Sequence, residues 1–311
     1  MALQTMVTIL VVFQMTVGLA ASPAIGVVTA KGSFRIDDAS IAGNGTVFDG
    51  STVETLRVSS QLQLATGAKL DLGAGSRGRI YRDRLVLERG VGEIRNATQY
   101  GVEASNLRVI AYDVSAVGRV SIRETNRVQV AALMGGLRVV NGNGLLLAAI
   151  PAGRVLEFEP QAAGAAGPVQ LAGCLNKRDG RYFLTDETTN VTVELRGSDL
   201  DRHVGHKVEV IGSQIPGAKP TGTASQLIQV GNLKELARKC SSTARAAAAG
   251  GAAAGAAGGT AAGGGAAAGA AVGVAAATKA LIAGVIIAAA ATGTAVGLTA
   301  GDDSPPPSIS Q

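Results

Sequence analysis

Between Val27 and Glu159, apolar side chains recur at every second residue in short runs: Gln61-Leu62-Gln63-Leu64, Lys69-Leu70-Asp71-Leu72, Arg84-Leu85-Val86-Leu87, Arg119-Val120-Ser121-Ile122 and Arg127-Val128-Gln129-Val130. A period of two buries one face of a strand and wets the other, and it is incompatible with an amphipathic helix. The runs are separated by Gly43-Asn44-Gly45, Asp49-Gly50, Thr66-Gly67, Arg89-Gly90 and Asn141-Gly142-Asn143-Gly144. Gly and Asn accept the positive φ of tight turns. No helical period is sustained anywhere in this stretch. Residues 22–160 are therefore expected to form an all-β domain of many short strands: a sandwich, a barrel or a parallel β-coil.

Residues 161–168, QAAGAAGP, form a small-residue linker, after which the texture changes. Val169–Leu175, Arg181–Thr185, Asn190–Leu195, Lys207–Gly212 and Gln226–Val230 are five strand candidates, followed by a helical turn expected at Lys234–Arg238. Five strands in a unit spanning 169–240 suit a small OB-like barrel. Cys174 lies on its first strand and Cys240 just beyond its last, so the two bracket the unit.

The chain is 47% hydrophobic but 3% aromatic, with 43 Gly and no Trp, so its hydrophobicity is Ala-based and aliphatic. That excess sits at the two ends. Thr5 to Ala20 is an uncharged apolar run followed by Ala21-Ser22-Pro23, with Gly18 and Ala20 placed as a signal peptidase requires. Residues 1–21 are expected to be a signal peptide, although no Lys or Arg precedes Lys31; a buried first strand or helix is the alternative. Residues 241–279 read as an Ala/Gly spacer. Residues 280–301 carry no charge and are long enough for a transmembrane helix, which would anchor the chain in a membrane. Gly293, Gly297 and Gly301 repeat every fourth residue, a spacing that lets helices approach closely in lipid and offers homo-oligomer packing as an alternative. Lys279 and Asp302-Asp303 flank the span against the positive-inside tendency, which weakens the anchor without removing it. Residues 302–311 are a polar tail.

Chemistry-bearing residues are scarce. Two His and two Cys are too few for a multi-ligand zinc protein or a disulfide-dense scaffold. His203 and His206 have a spacing that could share a metal, but only Asp199 and Asp201 are near in sequence. A turn between strands is the expectation, with no metal site and no cofactor. In an exported chain, Cys174 and Cys240 are expected to pair, two buried thiols being the alternative. Eleven Arg lie between Ser76 and Arg138, and Arg84, Arg119, Arg123 and Arg127 alternate with aliphatics. That places them on an outer strand face, either as an interaction face for anionic polymer or acidic partner, or as a solvated face laced with ion pairs. Nucleic-acid binding is not expected: net charge is only +5, and the second unit offers Tyr182 and Phe183 alone as stacking platforms. No catalytic triad, carboxylate pair or phosphate loop stands out, so no enzyme is expected.

The run SSQLQLATGAKLDLGAGSRGRIYRDRLVLERGVGEI, Ser59 to Ile94, resembles the FecR domain of bacterial envelope proteins in its order of strand, Gly turn, strand, small-Ser corner and Leu-x-Leu-x-x-Gly strand. YGVEASNLRVIAYD, RVQVAALMGGLRVVNGNG and AIPAGRVLEF are similar to that family's later strands. The resemblance implies a periplasmic β module without catalytic residues, which in iron-uptake regulators relays an outer-membrane signal to a cytoplasmic anti-sigma segment. No such segment precedes the hydrophobic run here. LAGCLNKRDGRYFLTD and HVGHKVEVIGS resemble small OB-like modules of secreted bacterial proteins.

The expectation from sequence is thus a non-enzymatic, exported, periplasmic and membrane-anchored envelope protein, working by contact with another envelope protein or an anionic surface polymer. The alternative is a FecR-type signalling component that acts through a separate partner chain.

Overall fold

A computed structural model describes residues 23–97, 99–123, 127–160, 168–240, 279–282 and 285–289. The expected signal peptide, the linker up to residue 167, the Ala/Gly spacer up to residue 278, the polar tail and Gly293, Gly297 and Gly301 lie outside the described residues. Everything regular that is described is β, apart from one 3-10 turn, η1 (Leu200–His203). One compact unit runs to Val128 and takes in Ala132–Leu146; the other takes Gln129–Ala131 and what is described from Leu147 onward.

The first unit contains β1 (Ala24–Ile36), β2 (Ala39–Phe48), β3 (Thr52–Thr55), β4 (Ser60–Leu64), β5 (Lys69–Leu72), β6 (Arg77–Ile80), β7 (Arg84–Arg95), β8 (Gly101–Ala104), β9 (Leu107–Ala111), β10 (Val117–Ile122) and β12 (Leu137–Asn141). Six of them close into an antiparallel barrel in the order β1, β3, β6, β7, β5, β4 and back to β1. Closure depends on two long strands that each serve twice. In β1, Gly26–Ala30 pair with β4 and Phe34–Ile36 with β3. In β7, Leu85–Arg89 pair with β6 and Leu72 of β5 meets Gly92. The bend in β7 falls at Gly90, whose φ is +84°. A Cβ there would lie 2.6 Å from Ser76 Cα, so only glycine fits. Ser76 ties the bend: its Oγ accepts from Val91 N (2.9 Å), and its own N donates to Thr55 Oγ1 (2.9 Å). The barrel is filled by Phe34, Leu62, Leu70, Leu72, Ile80, Leu85 and Ile94, the inward members of the alternation.

Beyond the barrel, the free edge of β7 carries β10 antiparallel along its second half and β8 parallel along its first. β9 continues from β8, and β12 from β9, both antiparallel.

The remaining strands are β11 (Val128–Met134), β13 (Leu146–Ile150), β14 (Val155–Pro160), β15 (Val169–Arg178), β16 (Arg181–Asp186), β17 (Thr192–Arg196), β18 (Lys207–Gln214), β19 (Leu227–Ala237), β20 (Lys279–Ile282) and β21 (Val285–Ala289). In the second unit, β15, β16, β17, β19 and β18 close a five-strand ring, with β17 and β19 parallel and every other pair antiparallel. β15 changes partner at Gly173, which faces Asp186 on β16 and Val208 on β18. A Cβ at Gly173 would run into the Thr185 carbonyl. Cys174 and Cys240 form a disulfide with Cα atoms 5.8 Å apart, as the sequence led one to expect.

Two expectations are corrected. Lys234–Arg238 is not a helical turn, because β19 continues through Ala237 along β18. Within the span expected over 280–301, the described residues 280–282 and 285–289 are strand and not helix, and the remainder lies outside the described residues: β20 and β21 pair antiparallel, β21 also pairing with β14 and β20 with Gln170 of β15. Ala280, Ile282 and Ile287 are buried in that sheet with Leu156 and Phe158. Ile282, Val285, Ile286 and Ile287 are β-branched, and such side chains suit a pleated surface better than a helix. Among the described residues, no helix is long and apolar enough to cross a membrane.

Candidate functional site

Much of the first unit's arginine content is matched on its own surface. Glu54 of β3, only 7% exposed, stands in register with Arg35 of β1 and Arg77 of β6. It contacts Arg77 at 3.5 Å, Arg35 at 3.8 Å and Arg89 more closely still. A carboxylate so withdrawn from water requires such partners. A second row crosses β5, β7 and β10: Asp71 faces Glu93, which faces Arg119. Arg119 reaches Glu93 at 2.9 Å, and Arg95 reaches both Glu93 and Asp71 at 2.8 Å. Burial raises the Asp71 carboxyl above its ordinary value, Arg95 opposes that and Glu93 adds to it.

Of the four arginines expected to form an interaction face, Arg119 is thus held by Glu93. Arg84 lies 3.0 Å from Asp83, 3.3 Å from Glu103 and 4.4 Å over the Tyr81 ring. Arg123 and Arg127 face each other at a strand junction, where the Arg123 amide donates to the Arg127 carbonyl (2.9 Å). Arg84 and Arg119 are thus engaged by carboxylates of their own unit.

A different pair of arginines does converge. On the outer face of β8, β9 and β12 is a cleft of about 650 Å³, lined by Val86, Glu103, Arg108, Ile110, Arg138 and Val140 among others. Its origin is a repeated tetrapeptide: Leu107-Arg108-Val109-Ile110 and Leu137-Arg138-Val139-Val140. In each copy the Leu and third-position Val are buried while the Arg and last aliphatic face out, as period two requires. Because the copies pair antiparallel, Arg108 sits across from Val140 and Arg138 across from Ile110. Two guanidinium groups therefore lie diagonally across a floor of aliphatic side chains. Glu103 is the one carboxylate lining the cleft; it lies 3.8 Å from Arg108 and is already shared with Arg84. Among the described residues Arg108 Nε is buried without a hydrogen-bond partner, and no carboxylate pairs with Arg138, which lies 5.1 Å from the Tyr112 ring. Burial raises the Tyr112 phenol above its ordinary value, with Arg138 working against it. The Ser105-Asn106 turn, both residues at positive φ, and the Asn141–Gly144 turn lie together at one end of the cleft, where Asn141 faces Leu107.

The second unit holds another convergence. His203 ends η1 and His206 immediately precedes β18, while Glu235 projects from β19. His203 Nδ1 and His206 Nδ1 lie 3.2 and 2.9 Å from the same oxygen, Glu235 Oε2. The hydrogen bond from His206, then that from His203, hold the Glu235 carboxyl below its ordinary value. Asp199 and Asp201, the carboxylates nearest in sequence, are engaged instead by Arg202 (3.4 Å) and Lys177 (2.5 Å).

No family model matches the chain, and no curated protein matches it.

Sequence reasoning overlooked Arg108, Arg138 and Glu235. The repeated Leu-Arg-Val-aliphatic tetrapeptide was a usable signal for the first two, since antiparallel pairing of two such copies crosses their arginines. For Glu235 no local signal existed: it lies 29 residues from His206, and only the β18–β19 register unites them.

Proposed function

We propose that this chain is a non-enzymatic, exported envelope protein, with a FecR-like β module followed by an OB-like barrel. Its work is to hold an anionic surface polymer in the cleft on the outer face of β8, β9 and β12. The observation that carries this reading is the charge balance of the cleft among the described residues: Arg138 without a carboxylate, Arg108 with an unpartnered buried Nε, and one already-shared glutamate over an aliphatic floor. Guanidinium groups bind carboxylates and phosphates through charge-assisted hydrogen bonds, and the aliphatic floor accepts the carbon skeleton between the charges. A cleft across the outer face of three paired strands suits an extended chain better than a compact metabolite. The disulfide supports a destination in an oxidising compartment. The ring order of the second unit, with its one parallel pair, supports the OB-like assignment. The reading does not depend on a membrane anchor.

The test is calorimetric titration of the full chain with polygalacturonate, with neutral dextran as control. Binding to the acidic polymer that weakens with salt, and that Arg138→Ala reduces about tenfold, is the expected result, since a charge-assisted hydrogen bond contributes roughly 1.5–3 kcal/mol. Equal binding of dextran, or of the wild type and Arg138→Ala, would overturn the proposal.

A further inference from the structure

We propose that His203, His206 and Glu235 form a binding site for a divalent transition-metal ion, with two imidazole nitrogens and one carboxylate oxygen as ligands. This inference concerns the second unit and does not rest on the function proposed above. The chain has two histidines in 311 residues, and both meet at one carboxylate. Their ligand atoms and that of Glu235 all lie within 4.8 Å of one another. An ion bound at about 2.0–2.2 Å from each donor needs donors roughly 3–4 Å apart. The two separations to Glu235, 3.2 and 2.9 Å, already approach that, so small side-chain rotations suffice.

The backbone holds the three donors in place. Gly205, at φ +83°, turns the chain between the histidines, and His206 N donates to His203 O (2.9 Å). That turn is pinned to β15 from both directions: Gly205 N donates to Leu175 O (2.8 Å) and Leu175 N to His206 O (3.1 Å). It is pinned again to the disulfide, because Cys240 N donates to Gly205 O (3.3 Å). Glu235 faces Val208, and the register shifts between Lys207 and Val208, so that β19 carries an extra residue beside the site. Such bulges re-aim side chains. The nearest competing cation is Arg238, 3.9 Å from the other Glu235 oxygen and itself 91% exposed, a weak hold on that carboxylate.

Imidazole and carboxylate together suit zinc, copper and nickel rather than magnesium or calcium, which prefer all-oxygen sets. All three side chains are partly exposed, so an ion can enter from solvent. Three protein donors also leave a coordination position for water or an external ligand.

The test uses the full, disulfide-bonded chain. Zn(II) titration by calorimetry and the visible spectrum of the Co(II) form are recorded for the wild type, His203→Ala, His206→Ala and Glu235→Gln. Circular dichroism and thiol counting verify that each variant is folded and bridged. The expected result is one ion per chain, a tetrahedral or five-coordinate Co(II) spectrum, and at least a tenfold loss of affinity in each variant. Wild-type affinity no better than that of His203→Ala/His206→Ala would overturn the site. An unchanged Glu235→Gln would overturn the three-ligand assignment.

Discussion

The two closed β rings reach closure by different means. In the first unit, β1 to β7 are consecutive, and the ring is finished by bending two long strands, one of them at Gly90, and by clamping its outside with the Glu54 and Glu93 ion pairs. In the second, β15 to β19 are consecutive as well and close through five pairings, one of them parallel; a disulfide joins residues 66 apart, and outside the ring two strands that follow it by some forty residues of Ala/Gly-rich sequence pair with β14 and with Gln170 of β15. Strand bending needs glycine at one position. Joining segments so far apart in sequence needs buried apolar contacts or a cross-link to offset a larger loss of chain entropy.

The largest effect that would break this contrast is expected from Ile287→Asp, which places an unpaired charge at a fully buried site in the tail hairpin. A loss of about 5 kcal/mol is expected, confined to the second unit, with hydrogen exchange rising at β14 and β15 while amides of β4 and β5 stay protected. Uniform loss of protection would show that the units do not differ as described. Cys174→Ser with Cys240→Ser is expected to cost about 4 kcal/mol by the loop-entropy relation, read from urea unfolding of the second unit. The matching experiment in the first unit is Gly90→Ala, expected to cost about 3 kcal/mol through positive φ and collision with Ser76; a neutral outcome would remove the bend from the account of closure.

Asp186→Ala should cost about 2 kcal/mol, because its carboxylate accepts from Ala172 N (2.9 Å), Thr189 N (2.8 Å) and Thr189 Oγ1 (2.8 Å) in the interior. Burial raises its carboxyl above the ordinary 3.8, so the folded state holds this proton more tightly than the unfolded chain. Its contribution is therefore full below 3.8 and declines as pH rises through the elevated value, and the stability gap between wild type and Asp186→Ala should narrow over that interval. Glu54→Gln is expected to have the smallest effect, about 1 kcal/mol and reduced by salt, since its arginine partners are largely exposed.

Most strands were legible because one face of each is wet. β5 coincides with the Lys69-Leu70-Asp71-Leu72 alternation, and β15, β16 and β18 begin where their apolar runs begin. β20 and β21 were not legible, because a sheet strand covered on both faces and a membrane helix are both continuous apolar runs. β19 was misjudged beyond Val230, where most of its residues are exposed and no alternation survives. The arginines were visible as a group, but which of them are neutralised depends on cross-strand register: Arg119 meets Glu93 and Arg138 meets Ile110. The histidine pair was visible too, whereas its carboxylate came from another strand.

The tail hairpin also imposes an order of events on a chain made from its N-terminus. β14 and β15 emerge early but cannot complete their sheet until Leu281 and Ile287 have followed. Until then Leu156 and Phe158 face an unfilled slot with unsatisfied backbone edges, the kind of surface that holdase chaperones recognise and that invites pairing between nascent chains. The first barrel, whose strands all precede Val117, is free of that wait. The C-terminal strands thus act as a timing element: they set the last moment at which the second unit can become native.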